Sequence, residues 1–279
     1  MSVFLSQFVD IFFVLTGYYS WKHHEKAFTE NLKPSVRKTL FKKILMVIIM
    51  AILFFKFSLS YPLSSNIDPK VLSSPIWYRI LHLHFTCEGQ RLYYYIPWTL
   101  SDVVNNASGF GFSGYDEKGE PKWDLLTNIN ILELETSTSM KHLIDNWHIQ
   151  TNNWLRSVLF ERLPKGKTLG VFFISCLWHG FYPGYYFSFV YSALVIYVGR
   201  GIRRNIRPKF LHNKFLSFIY SIIGWVVTQL LIAYIVCPFF LLNFESSIKF
   251  LNSFYWIGHI IIGFLMIILP KQSFKSKFS

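Results

Sequence analysis

Long apolar runs separated by short basic or polar stretches set the pattern of this chain. Residues 215–244 carry no charge, residues 250–269 are also uncharged and end at Pro270, and residues 44–61 are interrupted only by Lys56. Each approaches or exceeds the roughly 20 apolar residues that a membrane-spanning helix needs. Residues 169–198 form another uncharged run, broken by Pro183-Gly184, which is long for one straight span and short for two. The break predicts a kinked or re-entrant geometry. Two weaker segments, 76–85 and 93–112, mix apolar and polar side chains and are tolerated at membrane depth only inside a bundle or along a cavity. Residues 3–19 are apolar apart from Gln7 and Asp10. They lack the basic start and small-residue cleavage site of a secretory signal, so the expectation is a retained membrane helix. Residues 113–168 are the largest polar region; within it 114–121 reads as an exposed turn and 125–142 as helix. The chain shows no internal repeat and no low-complexity tract.

Composition sharpens this picture. Of 279 residues, 52% are hydrophobic and 15% are charged, against about 25% charged in a soluble domain. Aromatics make up 19%, which suits a protein that meets two lipid interfaces. The net charge of +13 does not require a nucleic-acid partner, because the basic residues collect in loops. Lys22, Lys26, Lys33, Arg37, Lys38, Lys42 and Lys43 lie between the first two apolar candidates, and Arg200, Arg203, Arg204, Arg207, Lys209 and Lys214 form a second block. Residues 60–75 hold only Asp68 and Lys70. The positive-inside rule places 20–43, 200–214 and the C-terminus in the cytoplasm. Residues 270–279 are then a basic cytoplasmic tail. Its Lys275 and Lys277 read either as a retrieval address of endoplasmic-reticulum membrane proteins or as an ordinary basic flank to the last helix. Cys87, Cys176 and Cys237 have neither disulfide nor metal-ligand spacing, and the two inside apolar runs read as small buried hydrophobes.

Two clusters carry candidate chemistry. His179 sits in the apolar stretch Phe172-Phe173-Ile174-Ser175-Cys176-Leu177-Trp178-His179-Gly180. An ionisable side chain there is costly and marks a functional site, or else a histidine hydrogen-bonded between helices. Gly180, Pro183 and Gly184 permit a broken helix and close backbone approach. Trp178, Tyr182, Tyr185 and Tyr186 supply an aromatic wall, a composition that interface belts also use. The second cluster is Asp145-Asn146-Trp147-His148-Ile149-Gln150-Thr151-Asn152, followed by Asn153, Trp154, Leu155 and Arg156. On its own it is either a polar surface helix or a site.

Together the clusters resemble the membrane-bound O-acyltransferase superfamily. His179 matches the family's membrane-embedded histidine, and residues 178–189 fit its W-H-G-x-x-x-G-Y-x-x-x-F pattern at every fixed position. Trp123-Asp124 fits a short upstream W-D motif, Tyr234 and Phe239 a later Y-x-x-x-x-F. Tyr255 and His259 fit most of a final aromatic-histidine motif, with Leu251 in place of its leading tyrosine. Trp98-Thr99-Leu100-Ser101-Asp102 and residues 105–112 are similar to the lysophospholipid acyltransferase branch, particularly to members acting on lysophosphatidyl-ethanolamine, -serine and -choline. The resemblance runs over nearly all of the chain from about Pro34.

It implies an all-α polytopic bundle with broken or re-entrant helices around a substrate tunnel, residues 1–279 forming one membrane-embedded domain that corresponds to the C-terminal part of the family fold. It also implies an endoplasmic-reticulum location, no bound cofactor or metal, and transfer of a fatty acyl group from acyl-CoA, as co-substrate, to the free hydroxyl of a lysophospholipid. His179 would be the general base, an effect contributing about 10²–10⁴-fold. Trp123, Asp124, Asn146, Gln150, Thr151, Asn152, Trp178, Gly180, Gly184, Tyr185 and Tyr186 would contact substrate. The Arg200–Lys214 block would help to hold the CoA phosphates, if it is more than a topology signal.

Two departures stand against the pattern. The family reads W-N-I-Q-T where this chain reads Trp147-His148-Ile149-Gln150-Thr151, so His148 occupies the second active-site position. Asn146 lies two residues earlier, displaced by about 200° on a continuous helix. The chain is also expected to be shorter than family members at its N-terminal side. An enzyme therefore competes with a catalytically silent relative that binds lipid or a membrane partner. Protein acylation and transport are weaker alternatives, the latter because no repeated half is present. Oligomeric state, head-group choice and acyl-chain preference stay open.

Overall fold

The computed structural model describes residues 35–269. The expected helix at 3–19, the basic residues before position 35 and the tail 270–279 lie outside the described residues. What is described is almost wholly helical. Helix α1, Arg37–Ser60, turns its apolar side chains outward: Phe41, Ile48, Ile52, Phe55 and Leu59 are exposed, as on a surface solvated by lipid, while Met50 faces inward. Helix α2, Ile76–Ala107, contains 32 residues and Pro97, a length of about 48 Å. It joins the two weaker sequence segments into one helix. Its buried face carries Arg79, His82, Thr86, Arg91, Thr99, Asp102 and Asn106, which is why hydropathy divides it.

After α2 the chain leaves the long helices. Strands β1, Gly114–Tyr115, and β2, Pro121–Lys122, pair antiparallel with Gly114 opposite Lys122. The carboxylate of Asp116 accepts from the amides of Lys118 (2.8 Å) and Glu120 (2.9 Å), and Gly119 supplies the positive φ of the turn, so the exposed turn expected at 114–121 is a hairpin. The helix expected over 125–142 does not form as one unit. Residues 125–130 are non-helical; α3 covers Ile131–Glu135 and α4 covers Met140–Asp145. Side chains outcompete the helix here. Ser139 caps α4 by accepting from the His142 amide (3.3 Å), and the Ser137 hydroxyl lies 2.9 Å from His142 Nδ1. Helix α5, Ile149–Leu155, follows and runs into a π-helical turn at Arg156–Phe160.

Helices α6, Lys167–His179, and α7, Pro183–Asn205, are the two halves of the long uncharged run. The break is at residues 180–182, just ahead of the Pro-Gly pair, because Gly180 adopts φ 118° and Pro183 opens α7. Helix α8, Lys214–Leu241, packs on α7 and α2. Its Asn213 cap accepts from the Phe215 and Leu216 amides. The run expected as one span at 250–269 is bent: α9, Phe244–Ser253, and α10, Ile257–Ile268, meet at 76°. Tyr255 and Trp256 both take positive φ at the corner. Arg79 donates to the Ser253 carbonyl and lies over the Phe254 ring at 4.8 Å. That satisfies the end of α9 while Phe250, Leu251 and Phe254 enter the core. Among the described residues, α1 and α8 are long and apolar enough to cross a membrane, and the bent α9–α10 pair is a third candidate.

Helix α7 reaches α8 without a spacer. The Gly184 amide donates to the Leu242 carbonyl (2.8 Å), and a Cβ at Gly184 would stand 2.1 Å from the Pro238 carbonyl oxygen. Because that neighbour is backbone, Gly184→Ala is expected to destabilise the bundle by about 1–3 kcal/mol, read as a lower thermal midpoint of the detergent-purified protein.

Candidate active site

His179 is the last residue of α6 and the helix stops there because Gly180 leaves the right-handed region. The imidazole is boxed by three rings: Phe189 stacked at 5.1 Å, Phe239 edge-on at 5.2 Å and Tyr185 at 5.6 Å. Tyr185 is itself buried and packs 4.6 Å from Phe239. Two separate stretches of sequence, 179–189 with its break between α6 and α7 and Phe239 of α8, thus close around one nitrogen heterocycle.

His148 arrives from the polar module. It sits at the junction of α4 and α5 with φ 51°, a left-handed conformation that Asn, Asp and His adopt more readily than other non-glycine residues. The segment 145–152 is therefore two short helices with a corner. The rotation expected of Asn146 on a continuous helix does not apply, since Asn146 ends α4 and turns back. The His148 ring stacks on Trp98 of α2 with centroids 4.8 Å apart and planes inclined 15°. Its Nε2 lies 2.9 Å from the Thr151 hydroxyl. His148, Thr151, Trp154 and Leu155 on one wall and Ile174, Ser175, Trp178 and His179 on the other line a cavity of about 30 Å³. Trp154 and Trp178 meet across it at 5.6 Å.

Other sequence candidates stand elsewhere. Gln150 donates to the carbonyls of Leu125 (3.0 Å) and Thr127 (3.1 Å), Asn152 to that of Ile144 (2.6 Å), and Asn146 to that of His142 while accepting from Asn130. These amides hold the corner that presents His148. Trp123 packs on Phe112 at 5.4 Å and Asp124 accepts from Ser113, both on the hairpin side of the module. Gly184 serves the α7–α8 contact, and Tyr186 is half-buried on α7. Trp98, Phe189 and Phe239 belong to quoted motifs, but only the tertiary contacts show them touching the two histidines. No group of three or more His, Cys, Asp or Glu among the described residues could hold a metal.

Comparison with known proteins identifies the family. The model of the membrane-bound O-acyltransferase family matches residues 4–243. The chain is 38% identical over 249 residues to human membrane-bound glycerophospholipid O-acyltransferase 2, covering 89% of this chain and 48% of the relative. It is 39% identical to Drosophila melanogaster lysophospholipid acyltransferase 6, over 86% of this chain and 34% of the relative. With the Schizosaccharomyces pombe lysophospholipid acyltransferase the figures are 36%, 76% and 44%. The chain spans about half the length, or less, of these curated relatives.

The left-handed backbone at His148 gives a test independent of activity. His148→Asn should keep the stability of the parent protein. His148→Val, whose branched side chain opposes positive φ, should lower it by about 1–2 kcal/mol, as measured by thermal unfolding in detergent.

Proposed function

The chain belongs to the membrane-bound O-acyltransferase family, and on that premise we propose that it transfers a fatty acyl group from acyl-CoA to the free hydroxyl of a lysophospholipid. The observation that carries the reading is the cavity shared by His179 and His148, reached from an apolar surrounding. His179 takes the acceptor's hydroxyl proton while that oxygen bonds to the thioester carbonyl carbon. Negative charge gathers on the carbonyl oxygen. The intermediate then collapses, the carbon–sulfur bond breaks, and the CoA thiolate recovers the proton from the imidazolium. His148 stands where the family carries asparagine and serves as the donor facing the developing oxyanion. Thr151 sets the orientation of its ring and Trp98 its plane.

An apolar groove of about 350 Å³ lies between α6 and α7, lined by Leu169, Gly170, Phe172, Phe173, Val190 and Ala193. Its apolar lining suits an acyl chain. Arg200 lies where α7 nears the start of α6, 3.2 Å from the Thr168 hydroxyl, and with Arg203, Arg204, Arg207, Lys209 and Lys214 offers cations for the CoA phosphates. Residues 1–279 act as one membrane-embedded domain of the endoplasmic reticulum, with 200–214 and the tail 270–279 in the cytoplasm. The charge distribution favours this orientation.

A second reading is a silent relative that binds lipid. The small cavity and His148 in the asparagine position favour it. Labelled acyl-CoA and a lysophospholipid panel, offered to membranes expressing the chain, separate the two. Transfer by wild type, falling about 10²–10⁴-fold in His179→Ala and persisting in His148→Asn, is the expected outcome. Silence in wild type that His148→Asn rescues means a disabled site in an intact scaffold. Silence of all three folded proteins overturns the enzyme.

A further inference from the structure

Two residues that line the cavity between the histidines carry hydroxyls, Thr151 and Ser175. Thr151 is committed to His148, 2.9 Å from its Nε2. Ser175 lies one turn before His179 on α6, about 6 Å back along the axis and on the same side of the helix. It is half-buried, and its hydroxyl donates to the Val171 carbonyl at 2.8 Å. In the α-helical ladder that carbonyl is already the partner of the Ser175 amide. Turning the hydroxyl hydrogen about the Cβ–Oγ bond therefore leaves no carbonyl unsatisfied. Much of the remaining lining is apolar or aromatic, from Leu155, Ile174, Trp154 and Trp178. A donor in such surroundings counts for more than it does in water.

Acyl transfer leaves a shortfall at this point. A carbonyl oxygen gaining negative charge has room for more than one donor, and a neutral imidazole has a single N–H where an asparagine amide has two. His148 alone therefore covers one direction of the oxyanion. We propose that the Ser175 hydroxyl is the second donor, an inference that rests on the acyl-transfer reading. As the acceptor oxygen bonds to the thioester carbon, the carbonyl π pair moves onto its oxygen, and the Ser175 O–H turns from Val171 to meet it. The hydroxyl keeps its proton throughout, since His179 alone takes the one released by the acceptor. When the carbon–sulfur bond breaks, the pair returns to the carbonyl and the hydroxyl to Val171. Base and donor stand one turn apart on a single helix, so their spacing is fixed by rigid backbone.

Ser175→Ala removes the hydroxyl and, with it, a side-chain bond that slightly disfavours the helix. With the purified chain in lipid nanodiscs, it should lower kcat about 10²–10³-fold. The KM values for acyl-CoA and lysophospholipid should stay close to wild type, and the thermal midpoint should hold or rise. Ser175→Cys keeps the shape of the side chain with only a weak S–H donor and should lose most of the same activity. An unchanged kcat in Ser175→Ala overturns the donor, and so does full activity in Ser175→Cys, which would mean that the hydroxyl only fills space. If wild type transfers nothing, the acyl-transfer reading fails separately, and the bound thioester decides this inference. The infrared stretch of carbonyl-labelled palmitoyl-CoA must lie lower on wild type than on Ser175→Ala. Equal frequencies, or no bound thioester on either protein, overturn the donor.

Discussion

Arg91 lies inside the bundle beside Glu88 on α2, 3.3 Å from a Glu135 oxygen and 2.8 Å from the Gln229 side-chain oxygen of α8. A guanidinium held away from water needs such partners, because an unpaired charge in a low-dielectric interior is far more costly than a paired one. The same partners do a second service. Gln229 and Trp225 of α8 donate to the Glu135 carbonyl at 2.9 and 2.7 Å, and Tyr95 of α2 donates to its carboxylate. The polar segment is thereby tied to two long helices. Trp147 packed on Trp98 at 4.9 Å and the Thr127 hydroxyl donating to Asp102 add further ties to α2, and together they hold the corner at His148 against Trp98.

The rest of the architecture follows a related rule. Polar groups on α2 find partners in elements distant in sequence: Thr86 with Asn66, Asp102 with Lys43 and Thr127, Arg79 with the end of α9. Aromatic side chains fill the remaining space, as with Tyr191 stacked 4.0 Å from His259, whose Nδ1 lies 3.0 Å from the Tyr234 hydroxyl. The helices that face outward, α1, α8 and α10, keep apolar residues on their exposed sides. Polarity is concentrated within the bundle.

The breaks in the helices are as consequential as the helices. Three corners, at Gly180, His148 and residues 254–256, depart from right-handed helical backbone. The first ends α6 on its histidine, the second aims a ring that a continuous helix would direct elsewhere, and the third folds the last apolar run back on the core. Only the first uses glycine. At the other two, tertiary partners hold side-chain-bearing residues in a less favoured conformation.

Much of this was legible from residue order. The apolar runs at 44–61 and 215–244 read as helices because hydrophobic length is a local property. The Trp178-His179-Gly180 run, the Pro183-Gly184 break and the family itself were readable for the same reason: they are short contiguous patterns. What local pattern misjudged was α2, several of whose polar residues find partners up to 174 residues away and so disguise a single 32-residue helix. It likewise missed the corner at 254–256 and the interruption of 125–142. Sequence singled out His148 and Gln150 alike, since both are polar residues in one motif. Tertiary structure alone separated them, bringing His148 to the cavity with His179 and turning Gln150 to backbone carbonyls, because where a side chain points depends on the φ of one residue and on neighbours that no linear pattern contains.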